Sequence, residues 1–260
     1  MRMPKHAFLS ASGSHRWLEC TPSAKLEEQF PRTTSAYAEE GTAANELSEL
    51  TARYWLSEIT EAEYENQRNE LAKGAYYNAE MQERANDYGK LVLEKYKQAH
   101  ETCEDAFVEL EVKVDFSKWV KSGFGTGDCI IVADNILEIV DLKYGKGVRV
   151  EAAGNPQMRL YALGALAKYN TLFDIDTVRM TIFQPRLSGV QSSDEISVKE
   201  LLEWANKYVK PRAKLAYKGE GEFAPSEETC KFCRAKEQCK ARTEQNLKLF
   251  DESPDPLLIM

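Results

Sequence analysis

The sequence predicts an α/β domain with a helical appendage, and three observations lead to this fold class. Apolar residues recur at helical spacing over about residues 12–100, alternation of apolar and charged residues begins near residue 105, and a helix-type segment separates the later strands. Hydrophobic residues make up 43% of the 260 residues, which is enough to bury one core. We therefore expect a single domain over residues 1–260.

The first part of the chain is expected to be helical. Residues 12–29 indicate a short helix that is broken near Pro22, and residues 37–56 indicate an amphipathic helix. Residues 61–99 indicate a long helical segment rich in Glu, Lys, Ala and Tyr. Two glycines interrupt it, Gly74 and Gly89.

A change to a period of two marks the start of a sheet, which we expect over about residues 105–185. Two apolar runs, residues 128–133 and 136–143, are joined by Asp134-Asn135, which is a two-residue hairpin signal. Before them, apolar and charged residues alternate as in a half-buried strand. The apolar residues are Val108, Leu110, Val112 and Val114, and the charged ones are Glu109, Glu111, Lys113 and Asp115.

The hairpin places two carboxylates opposite each other. If the turn holds only Asp134 and Asn135, counting back along both strands places Asp128 directly opposite Asp141. Directly paired residues share a face, with Cβ atoms roughly 4.5 to 5.5 Å apart, and Lys143 projects from the same face. Two carboxylates at this distance repel each other unless a cation lies between them. The hairpin therefore predicts a metal site.

A helix follows the hairpin and adds further polar groups. Asn155-Pro156 is typical of an N-cap followed by proline at the first helical position, and the helix is expected to reach about residue 168. Gln157 and Tyr161 are four residues apart and so share one face. A lone D-x-K segment is common, but this one occurs with an aspartate in register and a Q-x3-Y helix. That combination favours a catalytic metal site over a surface hairpin with incidental charges.

The last predicted elements lead into a cysteine cluster. Residues 177–184 indicate a strand, and the capping box Ser197-Val-Lys-Glu200 opens a helix that runs toward Tyr217. We expect a C-terminal helix and a cysteine clasp over about residues 197–242. A tail is expected over residues 243–260.

Four of the six cysteines have the placement of metal ligands. Cys230, Cys233 and Cys239 form a C-x2-C-x5-C run, and Cys20 lies far upstream. The sequence has no signal-peptide pattern and no run of roughly 18 apolar residues, so we expect a cytoplasmic protein. Thiols stay reduced in that compartment, which favours metal ligands over disulfides.

The overall charge limits the classes of nucleic-acid partner. A net charge of -8 and a pI near 5.2 argue against a protein that coats nucleic acid by bulk electrostatics. An acidic enzyme needs a local basic groove instead, and Lys143, Lys146 and Arg149 are the candidates for one, although an ordinary solvated loop explains them equally well. For the acidic residues Glu109 and Glu111, a solvated strand face is the favoured explanation.

The motifs follow one order along the chain. They are Glu40-Gly41-Thr42-Ala43-Ala44-Asn45, Gly127-Asp128, Asp141-Leu142-Lys143 and Gln157-x3-Tyr161, with Cys20 before them and Cys230, Cys233 and Cys239 after them. This order resembles the PD-(D/E)XK nuclease superfamily, and within it the RecB-like and AddB-like branch that carries an iron-sulfur cluster and includes CRISPR-associated nucleases. The stretches LSASGSHRWLEC and YGKGVRVEAAGNPQMRLYALGAL resemble a phage and prophage group of that branch.

The resemblance covers about residues 8–242 and implies a fold and a set of roles. The fold would be a restriction-endonuclease-like core, a mixed central sheet flanked by helices. Asp128 and Asp141 would bind Mg²⁺ or Mn²⁺, and Lys143 would be the catalytic lysine. Gln157 and Tyr161 would contribute to the active site or hold DNA.

The resemblance also implies that Cys20, Cys230, Cys233 and Cys239 hold a [4Fe-4S] cluster, which would pin the C-terminal region to the N-terminal helix. A four-cysteine zinc site usually draws on two local C-x2-C pairs, whereas here one cysteine is about 210 residues from the other three. That layout favours iron-sulfur over zinc.

One position departs from the family's pattern. Asn45 stands where the family usually has a histidine metal ligand. An asparagine oxygen is a weaker ligand than imidazole for Mn²⁺, although hard cations accept such oxygens. This departure puts the level of activity in doubt.

Two functions from different classes follow. The first is a metal-dependent deoxyribonuclease, an exonuclease on linear or single-stranded DNA in phage replication or recombination inside a bacterial host. The second is a nuclease-fold protein that binds DNA or a replication partner without cutting. Asn45 favours the second function, whereas the intact Asp128, Asp141 and Lys143 favour the first. A zinc-clasped interaction module is a third, weaker alternative.

Overall fold

A five-stranded mixed sheet in the order β1-β2-β3-β4-β5 forms the centre of the fold in this computed structural model, which describes residues 7–31 and 34–251. Strands β3 and β4 are parallel, and the other neighbouring pairs are antiparallel. The mixed central sheet that the resemblance implies is therefore present. The strands are β1 Phe107–Asp115, β2 Phe124–Ala133, β3 Ile136–Leu142, β4 Thr177–Gln184 and β5 Val190–Ser197.

Helices cover both faces of the sheet, as expected for an α/β fold. They are α1 Ser14–Glu19, α2 Ser23–Glu27, α3 Ala36–Trp55, α4 Glu61–Leu71, α5 Ala79–Thr102, α6 Pro156–Tyr169, α7 Val198–Trp204, α8 Lys210–Lys218, α9 Glu227–Lys231 and α10 Lys240–Asp251. A larger core lies between the sheet and α6, where Met158 and Leu160 are fully buried. A smaller core lies on the opposite face, where Tyr88 and Val92 of α5 pack on the sheet.

The helical N-terminal region has the predicted elements with one exception. Residues 12–29 divide into α1 and α2, and α4 and α5 separate around Gly74. The predicted interruption at Gly89 is wrong, because this glycine lies inside α5. A Cβ atom there would lie 2.5 Å from Cδ1 of Trp55, so the glycine allows α5 to approach α3 closely.

The sequence predicts that the apolar residues of β1 all lie on one face of the sheet, but in the structure they lie on two. Leu110 packs into the smaller core on the α5 side, whereas Val112 and Val114 pack into the larger core on the α6 side. The change of side occurs at Glu111, whose φ of 51° lies in the left-handed region. A backbone reversal at one residue therefore moves the following apolar residues to the other face.

The C-terminal part contains two features that the sequence did not predict. Strand β5 pairs with β4 and begins after a turn whose Ser188 and Gly189 both have positive φ. A single helix is predicted from the capping box toward Tyr217. In the structure it contains a π-helical turn at Ala205–Val209, where the amide of Lys210 bonds to the carbonyl of Ala205. Pro211 follows directly and has no amide to donate, which accounts for the local widening.

The predicted tail begins inside a helix, because α10 reaches Asp251. Residues 252–260 of that predicted tail lie outside the described residues. Within the described part of the chain, no helix combines the length and the apolar character that crossing a membrane requires.

Candidate functional site

The β2–β3 hairpin forms with the register that the sequence predicts. Ala133 pairs with Ile136 across the turn, and the ladder continues to the pair of Cys129 and Val140. One step further along this register, Asp128 stands opposite Asp141. Asp128 is partly exposed and Asp141 is buried, with 2% of its surface accessible.

Backbone and side-chain bonds hold the two aspartates and Lys143 in place. The amide of Leu142 donates to Oδ2 of Asp128 at 2.7 Å, so a side-chain carboxylate accepts this bond just beyond the last backbone pair of the two strands. Nζ of Lys143 lies 2.7 Å from Oδ2 of Asp141 as an ion pair. The amide of Lys143 also bonds to the carbonyl of Phe183, which fixes the end of β3 against β4.

Helix α6 delivers Gln157 and Tyr161 to the same site. Nε2 of Gln157 lies 3.4 Å from Oδ1 of Asp141 and 3.2 Å from the hydroxyl of Tyr161. The start of the helix is fixed by Asn155, whose side chain accepts bonds from the first-turn amides as predicted. Gly125 of β2 makes room for the tyrosine, since a Cβ atom there would lie 2.7 Å from its ring.

The electrostatics of the site show an excess of negative charge. Burial and the neighbouring charge of Asp141 raise the pKa of Asp128 to about 8. Burial works to lower the pKa of Lys143, but the negative charges of Asp141 and Asp128 outweigh it and raise the pKa. Burial and Asp141 also raise the pKa of Tyr161 to about 12. The site therefore favours bound protons or cations.

A pocket between α3, α5 and the sheet adjoins Asp128. Its lining includes Asn45, which lies where the resemblance implies a metal ligand, beside Asp128. The sequence did not single out its other polar residues as part of the site: Ser48, Glu49, Tyr88 and Glu111. The pairing of β1 with β2 would have identified Glu111 as a neighbour of Asp128. That pairing could not be predicted, because no local motif specifies the length of the loop between the two strands.

The two acidic candidates on β1 have different surroundings. Glu109 pairs with Lys168 at 2.8 Å and accepts a bond from Tyr169, so it belongs to a contact between β1 and α6. Glu111 is exposed, as the sequence predicts for a solvated strand face, and it also lines the pocket beside Asp128. Burial and the charge of Glu49 raise the pKa of Glu111.

The loop after β3 carries the predicted basic patch, but acidic residues neutralise part of it. Lys146 lies 3.1 Å from Glu80, and Arg149 lies 2.5 Å from Glu151. Of the three predicted residues, only Lys143 points its charge at the aspartates. The patch therefore carries less unpaired positive charge than its composition indicates.

The four predicted cysteine ligands line one small pocket, although they come from opposite ends of the chain. Cys20 follows α1, and the other three lie around α9 and the start of α10: Cys230, Cys233 and Cys239. All are free thiols, and burial raises the pKa of both Cys20 and Cys233. Cys103 and Cys129 lie outside this pocket, and Cys129 is fully buried in the sheet as predicted.

Hydrogen bonds tie the N-terminal helices to the cysteine region. The buried carboxylate of Glu27 accepts bonds from Arg16 at 2.7 Å and from the amide of Arg234 at 2.8 Å. The hydroxyl of Thr21 donates to the carbonyl of Glu220 at 2.7 Å. Cys20 is therefore held near the C-terminal cysteines by protein contacts alone.

Neither set of donors has the geometry of a complete metal shell. Within residues 7–31 and 34–251, no group of three or more His, Cys, Asp or Glu side chains is arranged to hold a metal ion. Besides Asp128, the polar groups that line the pocket are the side chains of Asn45, Ser48, Glu49, Tyr88 and Glu111. Because these acidic groups do not converge on one point, a cation there would complete its shell with amide, hydroxyl or water oxygens.

Comparison with solved structures gives only weak similarities. A proposed exonuclease from Eubacterium rectale is 13% identical, with a TM-score of 0.43 over 94% of this chain and 93% of that one. The protein SSO0001 is 15% identical, with a TM-score of 0.31 over 85% and 95% of the two chains. An alkaline exonuclease from Laribacter hongkongensis is 13% identical, with a TM-score of 0.29 over 67% and 87%.

Similarity at the level of sequence families is more extensive. The family model described as "Protein of unknown function (DUF2800)" matches residues 6–258, which is nearly the whole chain. The chain therefore belongs to the DUF2800 family.

Proposed function

We propose that the protein is a metal-dependent deoxyribonuclease of the PD-(D/E)XK type. One observation carries the proposal: Asp128 and Asp141 stand opposite each other while Lys143, 2.7 Å from Asp141, lies on the same edge of the sheet. Two facing carboxylates with a lysine beside them match the needs of phosphodiester hydrolysis, where negative charge develops on phosphate oxygens.

The donor set fits Mg²⁺ or Mn²⁺. Both ions prefer oxygen ligands; Asp128 and Asn45 line one pocket, and Asp141 stands opposite Asp128 in the strand register. When bound, such an ion lowers the pKa of a water molecule and stabilises the charge on the phosphate. Asp128 and Asp141 would hold the ion, and Asn45 would be a third, weak ligand.

The other polar groups would orient the reactants. The side chain of Lys143 is only 30% exposed, and its ammonium group would donate to a phosphate oxygen or to the attacking water. Gln157 donates toward Asp141 and would keep that carboxylate aimed at the ion. Tyr161 is buried behind Gln157, so its role would be to position that amide.

We also propose that the four cysteines hold a [4Fe-4S] cluster, as in the iron-sulfur branch of the RecB-like and AddB-like nucleases. The fit is supported by the shared pocket of Cys20, Cys230, Cys233 and Cys239. Such a cluster would link the two ends of the chain covalently through its thiolate bonds. Its role in this proposal is structural: it would reinforce the contact between the two ends that hydrogen bonds already make.

The proposed substrate is linear or single-stranded DNA, cut from an end during phage DNA replication or recombination. The test is incubation of end-labelled linear DNA and of circular DNA with anaerobically purified protein and Mg²⁺ or Mn²⁺. Loss of label from linear DNA alone supports an exonuclease, and cutting of the circle supports an endonuclease.

Lys143→Ala is the matched test of the site. We expect cleavage to fall by about 100-fold or more, which is typical for removal of one preorganised charge. Lys168→Ala serves as the control, because Lys168 pairs with Glu109 away from the pocket. EDTA should abolish cleavage by the unaltered protein.

A DNA-binding or partner-binding protein that does not cut is the second candidate. Asn45 in the place of an imidazole ligand and the partly neutralised basic loop favour it. Intact, brown protein that binds DNA ends in the presence of Mn²⁺ but leaves them uncut would support this second function and overturn the first.

A further inference from the structure

Two residues that line the pocket beside Asp128 have no part in the proposed mechanism. Asp128 lines it from β2, with Asp141 opposite on β3, and Asn45 lines it from α3. Glu111 of β1 and Tyr88 of α5 also line it. Both residues have structural features that call for an explanation.

Glu111 extends the row of facing carboxylates across a third strand. Leu110 pairs with Cys129 and Val112 with Gly127, so the register places Glu111 opposite Asp128. The backbone at Glu111 has a φ of 51°, which is uncommon for a residue other than glycine, asparagine or aspartate. Residues held in such conformations often belong to ligand sites.

Tyr88 presents a polar atom without a protein partner. The side chain is 1% exposed, and its hydroxyl has no hydrogen-bond partner among the described residues. A buried hydroxyl that is left unpaired destabilises the fold, so such groups usually bind water or a ligand. Because Tyr88 lines the pocket together with Asp128 and Glu111, its hydroxyl is available to a ligand there.

We infer that Glu111 and Tyr88 hold water ligands of the cation that Asp128 and Asp141 bind, and so compensate for Asn45. This inference rests on the proposed function. Hydrated contacts suit the geometry, since no three acidic side chains converge closely enough within the described ranges to bind an ion directly. Mg²⁺ in particular keeps several of its water molecules when it binds to proteins.

Tyr88→Phe separates this role from a structural one. The substitution keeps the ring and its stacking on Phe183, and it removes only the unpaired hydroxyl. In EDTA we therefore expect the variant to melt at the same temperature as the unaltered protein or slightly higher. In Mn²⁺ titrations by calorimetry we expect binding to weaken by about two- to tenfold, which corresponds to one hydrogen bond.

Glu111→Gln tests the proposed role of the Glu111 carboxylate. We expect at least about tenfold weaker Mn²⁺ binding, because a charged acceptor of the ion's water molecules is lost. Glu109→Gln is the matched control on the same strand, since Glu109 bonds to Lys168 outside the pocket. The control should bind Mn²⁺ like the unaltered protein.

Asp128→Asn distinguishes failure of this inference from failure of the proposed function. If Asp128→Asn abolishes Mn²⁺ binding while Tyr88→Phe and Glu111→Gln bind normally, the inference is wrong and the nuclease site stands. If the unaltered protein binds no Mn²⁺, both the site and the inference are wrong. Weaker Mn²⁺ binding by both Tyr88→Phe and Glu111→Gln, with normal binding by Glu109→Gln, supports the inference.

Discussion

Asp128 accepts a 2.7 Å hydrogen bond from the amide of Leu142, the residue that follows its opposite partner Asp141. The bond holds one carboxylate at the strand edge while Lys143 pairs with the other. The two negative groups are thus fixed close together by the backbone. This arrangement is unfavourable for the isolated protein and favourable for binding a cation.

A pH dependence of stability follows from this pair. Burial and Asp141 raise the pKa of Asp128 from its ordinary 3.8 to about 8, so the fold holds this proton more tightly than the unfolded chain does. The associated stability is fully present below pH about 4 and is lost as the pH rises through about 8. In EDTA, we expect the free energy of unfolding to fall between these values, measured by urea denaturation at several pH values.

Asp128→Asn should remove most of that fall, because the amide does not titrate. At pH 8 in EDTA the variant should be more stable than the unaltered protein. Asp105→Asn, at an exposed loop position, is the control and should leave the pH profile unchanged. An unaltered profile in Asp128→Asn would show that this carboxyl group is not the source of the effect.

Much of the site could be predicted from sequence because its register is local. Asp134 and Asn135 form the shortest type of hairpin turn, so counting along two adjacent strands places Asp128 opposite Asp141. The spacing of Gln157 and Tyr161 is likewise a property of one helix. Such relations depend on a few neighbouring residues and not on tertiary packing.

The rest of the site depends on packing between distant segments. Tyr88 has the pattern of an ordinary core residue of α5, and only the arrangement of α5 against the sheet brings its hydroxyl to the pocket. The reversal at Glu111 breaks the alternation on which strand prediction depends. Strand β5 has few apolar residues because it pairs only with β4 at the edge of the sheet.

Asn45→His should strengthen cation binding. Asn45 is half-buried in the pocket beside Asp128, and imidazole is the better ligand for Mn²⁺. We expect the affinity for Mn²⁺ to rise by about tenfold, with a smaller gain for Mg²⁺, measured by calorimetry and by cleavage at low metal concentration. Equal or weaker Mn²⁺ binding in Asn45→His, with an unchanged melting temperature in EDTA, would argue that residue 45 does not contact the ion.

Gly125→Ala should disturb the site without unfolding the protein. The added Cβ would lie 2.7 Å from the ring of Tyr161, so the ring must move and pull its hydroxyl away from Gln157. We expect a stability loss of about 1–3 kcal/mol, typical of overpacking, and reduced cleavage with nearly unchanged Mn²⁺ binding. Gly147→Ala is the control, because nothing lies within 4 Å of a Cβ at that position.

Cys20→Ser tests whether the two ends of the chain share one cluster. Cys20 lines the same pocket as Cys230, Cys233 and Cys239, whereas Cys103 lies outside it. We expect anaerobically purified Cys20→Ser to lose the brown colour and iron content of the unaltered protein, and Cys103→Ser to keep both. A colourless unaltered protein that contains stoichiometric zinc would instead assign the pocket to zinc. Cys20→Ser should lose more stability than Cys103→Ser, because only the former removes a ligand of the shared pocket. The sheet should stay folded, because the contacts of Glu27 with Arg16 and Arg234 remain.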